Sequence, residues 1–369
     1  MYFQVCLNIS KSGSDLSKGK VELHKLMNLT TFLNNKSVNP SIPSNPLPPE
    51  APPGIIAHMS TFVAVDIGGT HIRAAAYETD NITPLTHERT RSHAQQPGTF
   101  DRLVKVIEAA WPQDRNITAI GMASPGPLDP NTGVVLATPN IPEWINFPLT
   151  EKLSAHFGVP AYLDNDANLG ALGEWKFGAG KGHHDVLYLT ISTGIGGGVI
   201  IDDRLLHGYH GLAAELGHVI VLAGGPVCSC GYKGHLEALA AGPAIVRYVR
   251  EQLEAGQKSE LSDTEELNAR LIAEAAERGD NLAKSAYARA GEYLGIGVAS
   301  FLHTFDPSVV IFGGGVSQSG PLLFDPFEIS LHKHVFNPHY LEKLVITKAA
   351  LGDDAGLLGA LALAQMASD

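Results

Sequence analysis

The sequence predicts an α/β fold built from two related halves. Short apolar runs of strand type alternate along the chain with longer segments whose apolar residues have helical spacing, and this alternation is typical of α/β proteins. Two strand pairs are joined by glycine-rich turns, one at residues 68–70 and one at residues 192–198. Because a strand, a glycine turn and a second strand occur twice in this order, the pattern indicates one structural unit that is used twice.

The predicted elements begin at Thr61, where the chain becomes regular. Apolar runs predict strands at 62–67, 72–77, 119–123, 161–163, 186–191, 199–201, 309–312 and 345–349. Apolar residues repeated at intervals of three and four predict helices at 103–111, 167–177, 240–254, 264–278, 281–303 and 355–366. We expect a small α/β domain at 59–167, joined by a C-terminal helix at 353–369, and a large α/β domain at 168–352.

The composition is that of a folded enzyme with an acidic surface. The chain has 369 residues, of which 44% are hydrophobic and 17% charged, and its formal net charge is -12. That length suffices for two domains, and the negative charge argues against nucleic acid as the main partner. No apolar run reaches the roughly 18 residues of a membrane span. The 3 cysteines provide no disulfide framework, so we expect a reducing, cytoplasmic location.

Residues 1–58 differ in composition from the rest of the chain. The segment 39–54 contains seven prolines, which favour extended polyproline conformations and cannot pack as a helix or a central strand. We expect this extension to be disordered or non-native, with a small regulatory segment as the alternative.

The first glycine turn has the sequence Asp66-Ile67-Gly68-Gly69-Thr70. Glycines leave the backbone amides open to a ligand, and such amides form a cradle for anions, to which Thr70 adds a hydroxyl donor. Asp66 offers the oxygen ligands that hydrated Mg²⁺ prefers. The turn therefore predicts a phosphate and magnesium site, and an ordinary glycine-rich hairpin is the alternative.

The second glycine turn contains Thr193 and Gly194. It fails the dinucleotide fingerprint, because Val199 stands where the last glycine is required, and the chain has no Walker loop. Two cradles with a threonine each are expected to hold a nucleotide between two domains, and two unrelated turns are the alternative. A third glycine segment, with Gly314 and Gly315, follows a buried strand and could either admit a flat adenine ring or serve only as a turn.

A polar segment, Asp164-Asn165-Asp166, lies between a predicted strand and a predicted helix. Acidic residues at a helix start are common caps, but three polar side chains exceed what one cap requires. The helix dipole keeps a carboxylate ionised at this position. We therefore predict that Asp166 is a general base that accepts a proton from a sugar hydroxyl during phosphoryl transfer. Asn165 is expected to orient that hydroxyl.

Two histidines and two cysteines lie within eighteen residues of one another. They are His218, Cys228, Cys230 and His235. Two thiolates and two imidazoles satisfy a tetrahedral structural zinc site, and a pair of unliganded thiols in a loop is the alternative. Glu215 precedes the cluster and Glu237 follows it. We expect zinc to fix the loop that presents Glu215, His218 and Glu237 to a sugar, since a histidine can bind metal through one ring nitrogen and donate through the other.

Taken together and in order, these motifs resemble the ROK family (repressors, open reading frames and kinases) within the actin/hexokinase-like superfamily. The resemblance covers residues 59–367 and includes the segments at 66–70, 124–127, 138–144, 164–168, 193–198, 215–218, 228–237 and 351–356. It implies a two-domain actin-like ATPase (ribonuclease H-like) fold with the sugar in the cleft between the lobes. It also implies ATP, Mg²⁺ and structural Zn²⁺ as cofactors, and a homodimer or higher homo-oligomer.

The resemblance assigns roles to individual residues. The sugar contacts that it implies are Asn140, Asn165, Asp166, Glu215, His218 and Glu237. Its two phosphate motifs correspond to nucleotide contacts at Asp66, Gly68, Gly69, Thr70, Thr193 and Gly194. The third glycine segment adds Gly314 and Gly315 as expected nucleotide contacts. The family signature usually has a third cysteine where this chain has His235, and histidine is a competent zinc ligand.

The expected activity is ATP-dependent phosphorylation of a hexose, with glucose favoured. Fructose, N-acetylmannosamine and N-acetylglucosamine are alternative substrates, and polyphosphate is an alternative donor. A sugar-responsive repressor is an alternative of another class. It would need a DNA-binding pair of helices, for which residues 21–33 provide one candidate helix only.

Overall fold

The computed structural model describes residues 60–92, 98–138 and 141–368. The expectation about residues 1–58 lies outside this part of the chain. Within it, no helix is long and apolar enough to cross a membrane.

The secondary structure is an alternation of strands and helices. The strands are β1 (Thr61–Ile67), β2 (His71–Glu78), β3 (Thr86–Arg91), β4 (Ile117–Ser124), β5 (Leu128–Asp129), β6 (Val134–Val135), β7 (Phe147–Pro148), β8 (Ala161–Asn165), β9 (Val186–Ile191), β10 (Ile195–Ile201), β11 (Arg204–Leu205), β12 (Val309–Gly313) and β13 (Val345–Lys348). The helices are α1 (Thr99–Ala110), α2 (Leu149–Phe157), α3 (Asp166–Phe177), α4 (Glu237–Ala240), α5 (Gly242–Glu254), α6 (Ala269–Glu277), α7 (Asn281–Phe305), α8 (Pro321–His334) and α9 (Ala355–Met366).

Two five-stranded sheets have the same topology. Their strand orders are β3-β2-β1-β4-β8 and β11-β10-β9-β12-β13. In each sheet a hairpin (β1 with β2, or β9 with β10) is extended on one side by an antiparallel strand, β3 or β11. On the other side, the first strand of the hairpin is followed by two further parallel strands, β4 and β8 or β12 and β13. The prediction of two related halves is confirmed. The predicted domain boundary between residues 167 and 168 falls inside α3 and stays a prediction.

Helices α3 and α9 lie between the two sheets. Helix α9 packs on β1 and β4 of the first sheet, and α3 packs on β9 and β10 of the second. The two helices cross so closely that a methyl group at Gly359 would lie 1.8 Å from the carbonyl oxygen of Leu169. Glycine is required at such a crossing, because any side chain would separate the two backbones.

The outer face of each sheet carries its own apolar core. Trp144 and Leu103 are among the fully buried side chains of the cluster on the first sheet. Phe312 and Phe327 belong to the cluster that joins the second sheet to α5–α8. Burial of apolar surface contributes about 25 cal/mol per Å². It is the main interaction that holds each layer in place.

Several predicted elements differ from the structure. The helix predicted at 264–278 begins at Ala269, because the Asn268 side chain accepts a hydrogen bond from Leu271 and caps it there. The helix predicted at 240–254 begins at Gly242, since Ala241 is extended and Gly242-Pro243 forms the N-terminus of α5, whereas Ala240 ends the short helix α4. Strand β3 and helices α2 and α8 were not among the predicted elements, and α8 has a proline, Pro326, inside it.

Candidate active site

A cavity of about 560 Å³ opens where β8 and β9 end. Its walls include Asn165, Asp166, Glu215, His218 and Glu237. The fold thus brings together five of the six residues predicted to contact a sugar, although they are up to seventy-two positions apart in the chain. The sixth, Asn140, lies outside the described residues.

The start of α3 places Asp166 in this cavity. Asn165 is the N-cap: its side chain accepts hydrogen bonds from the amides of Ala167 at 2.9 Å and Asn168 at 3.4 Å. The amide of Ala167 also donates to Oδ1 of Asp166 at 2.8 Å. Since Asn165 already caps the helix, the carboxylate of Asp166 is not needed as the cap and can face the cavity.

The environment of Asp166 raises its pKa to about 6. Burial of the carboxylate among protein atoms is the largest cause, and the negative charges of Asp66 and Glu215 act in the same direction. The Ala167 amide opposes them. Although the carboxyl group is surrounded by protein, it opens to the solvent of the cavity, so a proton can enter and leave. A pKa near 6 suits a group that must be ionised and still basic close to neutral pH.

Glu237 connects the second glycine turn to the cysteine-containing loop. Its Oε2 accepts a hydrogen bond from the amide of Ile195 at 3.1 Å, and its Oε1 accepts one from Ser229 Oγ at 2.7 Å. A methyl group at Gly194 would lie 2.5 Å from Glu237 Oε2. Gly194 is therefore needed for this approach, which is a packing role in addition to the predicted phosphate role.

The four predicted metal ligands converge on one point. The ligand atoms of His218, Cys228, Cys230 and His235 all lie within 4.8 Å of one another. The two Nδ1 atoms of His218 and His235 are 3.3 Å apart, and Cys230 Sγ is 3.2 Å from His235 Nδ1. A tetrahedral zinc ion with bonds of about 2.1 Å to nitrogen and about 2.3 Å to sulfur would separate its ligand atoms by about 3.4–3.8 Å. The donor set and its spacing therefore fit zinc.

The metal cluster and the cavity share His218. Its Nδ1 lies 3.3 Å from His235 Nδ1 and 3.7 Å from Cys228 Sγ. Its Nε2 lies 3.9 Å from Oε2 of Glu215, which lines the cavity. One imidazole can therefore join the cluster to the wall of the cavity, as the sequence predicts.

The first glycine turn lines neither this cavity nor the larger one described next. The amide of Gly68 donates to the carbonyl of His71 at 2.9 Å, so it is used within the turn. Gly69 and Thr70 are exposed. The predicted anion cradle is therefore reduced to two exposed residues, Gly69 and Thr70.

A second cavity of about 900 Å³ adjoins the first. Ser192 and Thr193 line both cavities, so they lie at the junction. Gly315 lines the second cavity, where no described atom comes within 4 Å of a methyl group built on it. Gly314, predicted beside it, has a positive φ of 83° and packs against the backbone of Ile191. Gly314 therefore shapes the turn rather than the cavity wall.

Comparisons with known proteins agree with this arrangement. The family model described as the ROK family matches residues 62–367. The chain belongs to the ROK family.

Individual ROK relatives include kinases and repressors. Glucokinase from Thermotoga maritima is 36% identical over 308 residues, which are 82% of this chain and 96% of that enzyme. The solved ROK glucokinase from Streptomyces griseus, in complex with glucose and AMPPNP, is 34% identical with a TM-score of 0.70, and the match covers 83% of this chain and all of that one. A xylose repressor from Caldicellulosiruptor bescii is 33% identical over 267 residues, 72% of this chain and 66% of the repressor.

Arg73 is a residue of this ROK protein that the motifs alone did not reveal. Its guanidinium donates to Asp66 Oδ2 at 2.6 Å, to Asp354 Oδ1 at 3.2 Å and to the carbonyl of Asp353. Arg73 is the direct cross-strand partner of Asp66 in the first hairpin. The hairpin spacing in the sequence carried this information, because two residues equidistant from a turn pair on the same face of a sheet.

Proposed function

We propose that the protein transfers the terminal phosphoryl group of ATP to a hexose, with glucose as the favoured acceptor and glucose 6-phosphate as the product. The observation that supports this most is the carboxylate of Asp166 at a helix start inside a cavity whose other walls carry Asn165, Glu215, His218 and Glu237. Carboxylates, an amide and an imidazole together can accept from and donate to several sugar hydroxyls.

Asp166 acts as the general base. As the sugar oxygen attacks the γ-phosphorus, its proton passes to the Asp166 carboxylate and the bond between phosphorus and the bridging oxygen of ADP breaks. With a pKa raised to about 6, the carboxylate is largely ionised at pH 7. Asn165, fixed by its bonds to the α3 amides, holds the hydroxyl beside it.

The second cavity is the place for the nucleotide. It adjoins the sugar cavity at Ser192 and Thr193, so the phosphates of a nucleotide lying there would point to the acceptor. Arg247, Arg250 and Arg270 are on its walls. The similar enzyme from Streptomyces griseus was solved with AMPPNP, which supports ATP over polyphosphate.

Asp66 is the expected magnesium site. Its carboxylate could hold a hydrated Mg²⁺ through water, because this ion keeps most of its own waters. When bound, the ion supplies positive charge to the transferring phosphoryl group. Arg73 already holds Asp66 in place at 2.6 Å.

A coupled assay of ADP release tests the function. Purified protein with Mg·ATP is given glucose, fructose, mannose, N-acetylmannosamine and N-acetylglucosamine in turn, and polyphosphate replaces ATP in a parallel series. We expect the highest kcat/KM with glucose and ATP. Absence of turnover on all five sugars with either donor would contradict the proposal, and a preference for another sugar would replace glucose.

We also propose that a structural Zn²⁺ binds His218, Cys228, Cys230 and His235, as their convergence supports. Metal analysis of the purified protein should give about one zinc per chain. Replacement by Co²⁺ should give the absorption of a tetrahedral site with two thiolates, and His235→Cys should increase the thiolate-to-cobalt band by about half. A His235→Ala protein that retains zinc at full affinity would remove His235 from the ligand set.

A further inference from the structure

Asp164 is a fully buried carboxylate that none of the roles above uses. It is 1% exposed and lies directly before Asn165 and Asp166. Its Oδ1 accepts hydrogen bonds from the amide of Asn165 at 2.7 Å and from Asn168 Nδ2 at 3.0 Å. Burial of a carboxylate lowers stability unless its charge is also compensated. A cationic group or a strong hydrogen-bond donor is therefore required at Oδ2.

His207 provides that donor from the other half of the molecule. Its Nε2 lies 2.6 Å from Asp164 Oδ2. The hydrogen bond to Asp164 raises the pKa of His207, against the opposing effect of its partial burial. The pair therefore links the end of β8, in the first sheet, to the chain that follows β11, in the second.

The segment that begins at His207 forms one wall of the sugar cavity. We call residues 207–215 the cavity loop, because residues 211–215 line the cavity and include Glu215. The loop is closed on itself by a hydrogen bond from the amide of Ala213 to the carbonyl of His207 at 3.0 Å. Any displacement of His207 would therefore be transmitted to Ala213 and to the residues that follow it.

The geometry of the loop shows that it is held from outside. Ala214 has a positive φ of 66°, a strained conformation for a residue with a side chain. Such strain persists where the surrounding structure fixes the backbone. Gly211 packs against Pro130, with only 2.5 Å between a methyl group built at Gly211 and Pro130 Cδ. The cavity loop is thus fixed at two places, by His207 on Asp164 and by Gly211 on Pro130.

We propose that His207 is a positioning residue for sugar binding. By pairing with Asp164, it holds the cavity loop, and Glu215 with it, at a fixed distance from Asn165 and Asp166. The proposal rests on the proposed function, because it assigns His207 to the affinity for the hexose that Asp166 deprotonates. His207 does not itself line the cavity, so it acts through the loop.

A positioning role and a merely structural role give different kinetics. Loss of structure reduces the fraction of active protein, which lowers kcat and leaves KM for the sugar unchanged. Loss of positioning leaves the base and the nucleotide in place, so it raises KM and the calorimetric Kd for the sugar while most of kcat remains.

The test compares His207→Ala, His207→Gln and a matched control, His184→Ala. His184 also pairs with an aspartate, Asp203, at 2.8 Å, but it is exposed and lines neither cavity. We expect His207→Ala to raise KM and Kd for glucose about tenfold, as loss of a charged hydrogen bond implies. His207→Gln keeps an Nε2 donor and should recover most of the affinity, and His184→Ala should match wild type.

Asp164→Asn gives a second route if His207→Ala folds poorly. It retains the shape of the side chain, and it should raise Kd for glucose by a similar factor. The double variant Asp164→Asn/His207→Ala should then lose little more than either single variant, because both remove one interaction. Additive losses, an unchanged Kd in His207→Ala, or a fall in kcat alone would each overturn the proposal. If wild type turns over no hexose, the proposed function fails first, and this outcome is distinct from an active wild type with an unaffected variant.

Discussion

The hairpin of β1 and β2 and the hairpin of β9 and β10 occupy equivalent places in the two sheets, yet they present different groups. Each closes on a pair of isoleucines, Ile67 with Ile72 and Ile191 with Ile195. One pair further from the turn, Asp66 faces Arg73 in the first hairpin, whereas Thr190 faces Gly196 in the second. The same backbone unit thus carries an ion pair in one half and a threonine opposite a glycine in the other.

The difference follows from what each hairpin contacts. In the second hairpin a methyl group at Gly196 would lie 2.8 Å from the Cβ of Ala167 in α3, so the helix start occupies the space. In the first hairpin Arg73 extends to Asp353 and Asp354, just before α9. Each hairpin is therefore adapted to the start of one central helix. The first hairpin thus contacts its helix through charged side chains, and the second through closely packed small residues.

The largest effect is expected at Asp166, the proposed base at the start of α3, the helix that the second hairpin contacts. Asp166→Asn should lower kcat about 10³-fold and preserve glucose binding, because the amide keeps the shape but cannot accept the proton. Steady-state assays and calorimetry measure the two quantities. Asp203→Asn, at an exposed carboxylate, is the control. If Asp166→Asn retains kcat, the base lies elsewhere and the helix start beside the second hairpin has no catalytic role.

Substitution of a glycine in the second half should reduce the stability of the protein. Gly198→Ala would place a methyl group 2.5 Å from the Cβ of Ala171, so it should lower the free energy of unfolding by about 2 kcal/mol. Denaturant unfolding measures this. Gly315→Ala is the matched control, because its φ is -65° and no described atom is within 4 Å of the added methyl. Equal stability of both variants would show that close packing does not explain the glycines of β10.

The ion pair of the first hairpin should matter for the nucleotide. Arg73→Gln removes the cation beside Asp66, and we expect kcat/KM for Mg·ATP to fall about tenfold, the value of one charged hydrogen bond. In Arg73→Gln the rate should also depend less strongly on the magnesium concentration. Arg115→Gln removes another arginine that pairs with a β2 carboxylate, Glu78, outside both cavities. A loss of equal size in that control would point to the sheet rather than to Asp66.

The smallest effect is a shift in the pH profile. Asp166 must be ionised to act as a base, so kcat/KM should fall as the pH decreases through about 6, the pKa of this group. Asp66 contributes to that raised pKa by its negative charge. In Asp66→Asn the acid limb should therefore move to lower pH. A limb that stays in place would mean that the first hairpin does not influence the base.

The sequence predicted the repeated unit and five residues that line the first cavity, because local patterns indicate them. Glycine-rich segments between apolar strands mark the turns, and Asn165 and Asp166 lie where a strand passes into a helix. Partners from distant segments were not predicted. The bond between Asp164 and His207 joins residues 43 positions apart, and no periodicity indicates which histidine of several will meet a buried carboxylate. The register of Asp66 and Arg73 was available from hairpin spacing.

The position of α9 at the end of the chain has a consequence for biosynthesis. The first sheet is made from residues 61–165, but the helix that covers its inner face is Ala355–Met366. The inner face includes Ala64 and Tyr77. It therefore stays uncovered during synthesis until some two hundred further residues have been translated and α9 has left the ribosome. Contacts of such long sequence separation form late and slowly. Nascent chains that lack α9 should accordingly depend on chaperones, and the first half should gain protease resistance only when α9 is complete.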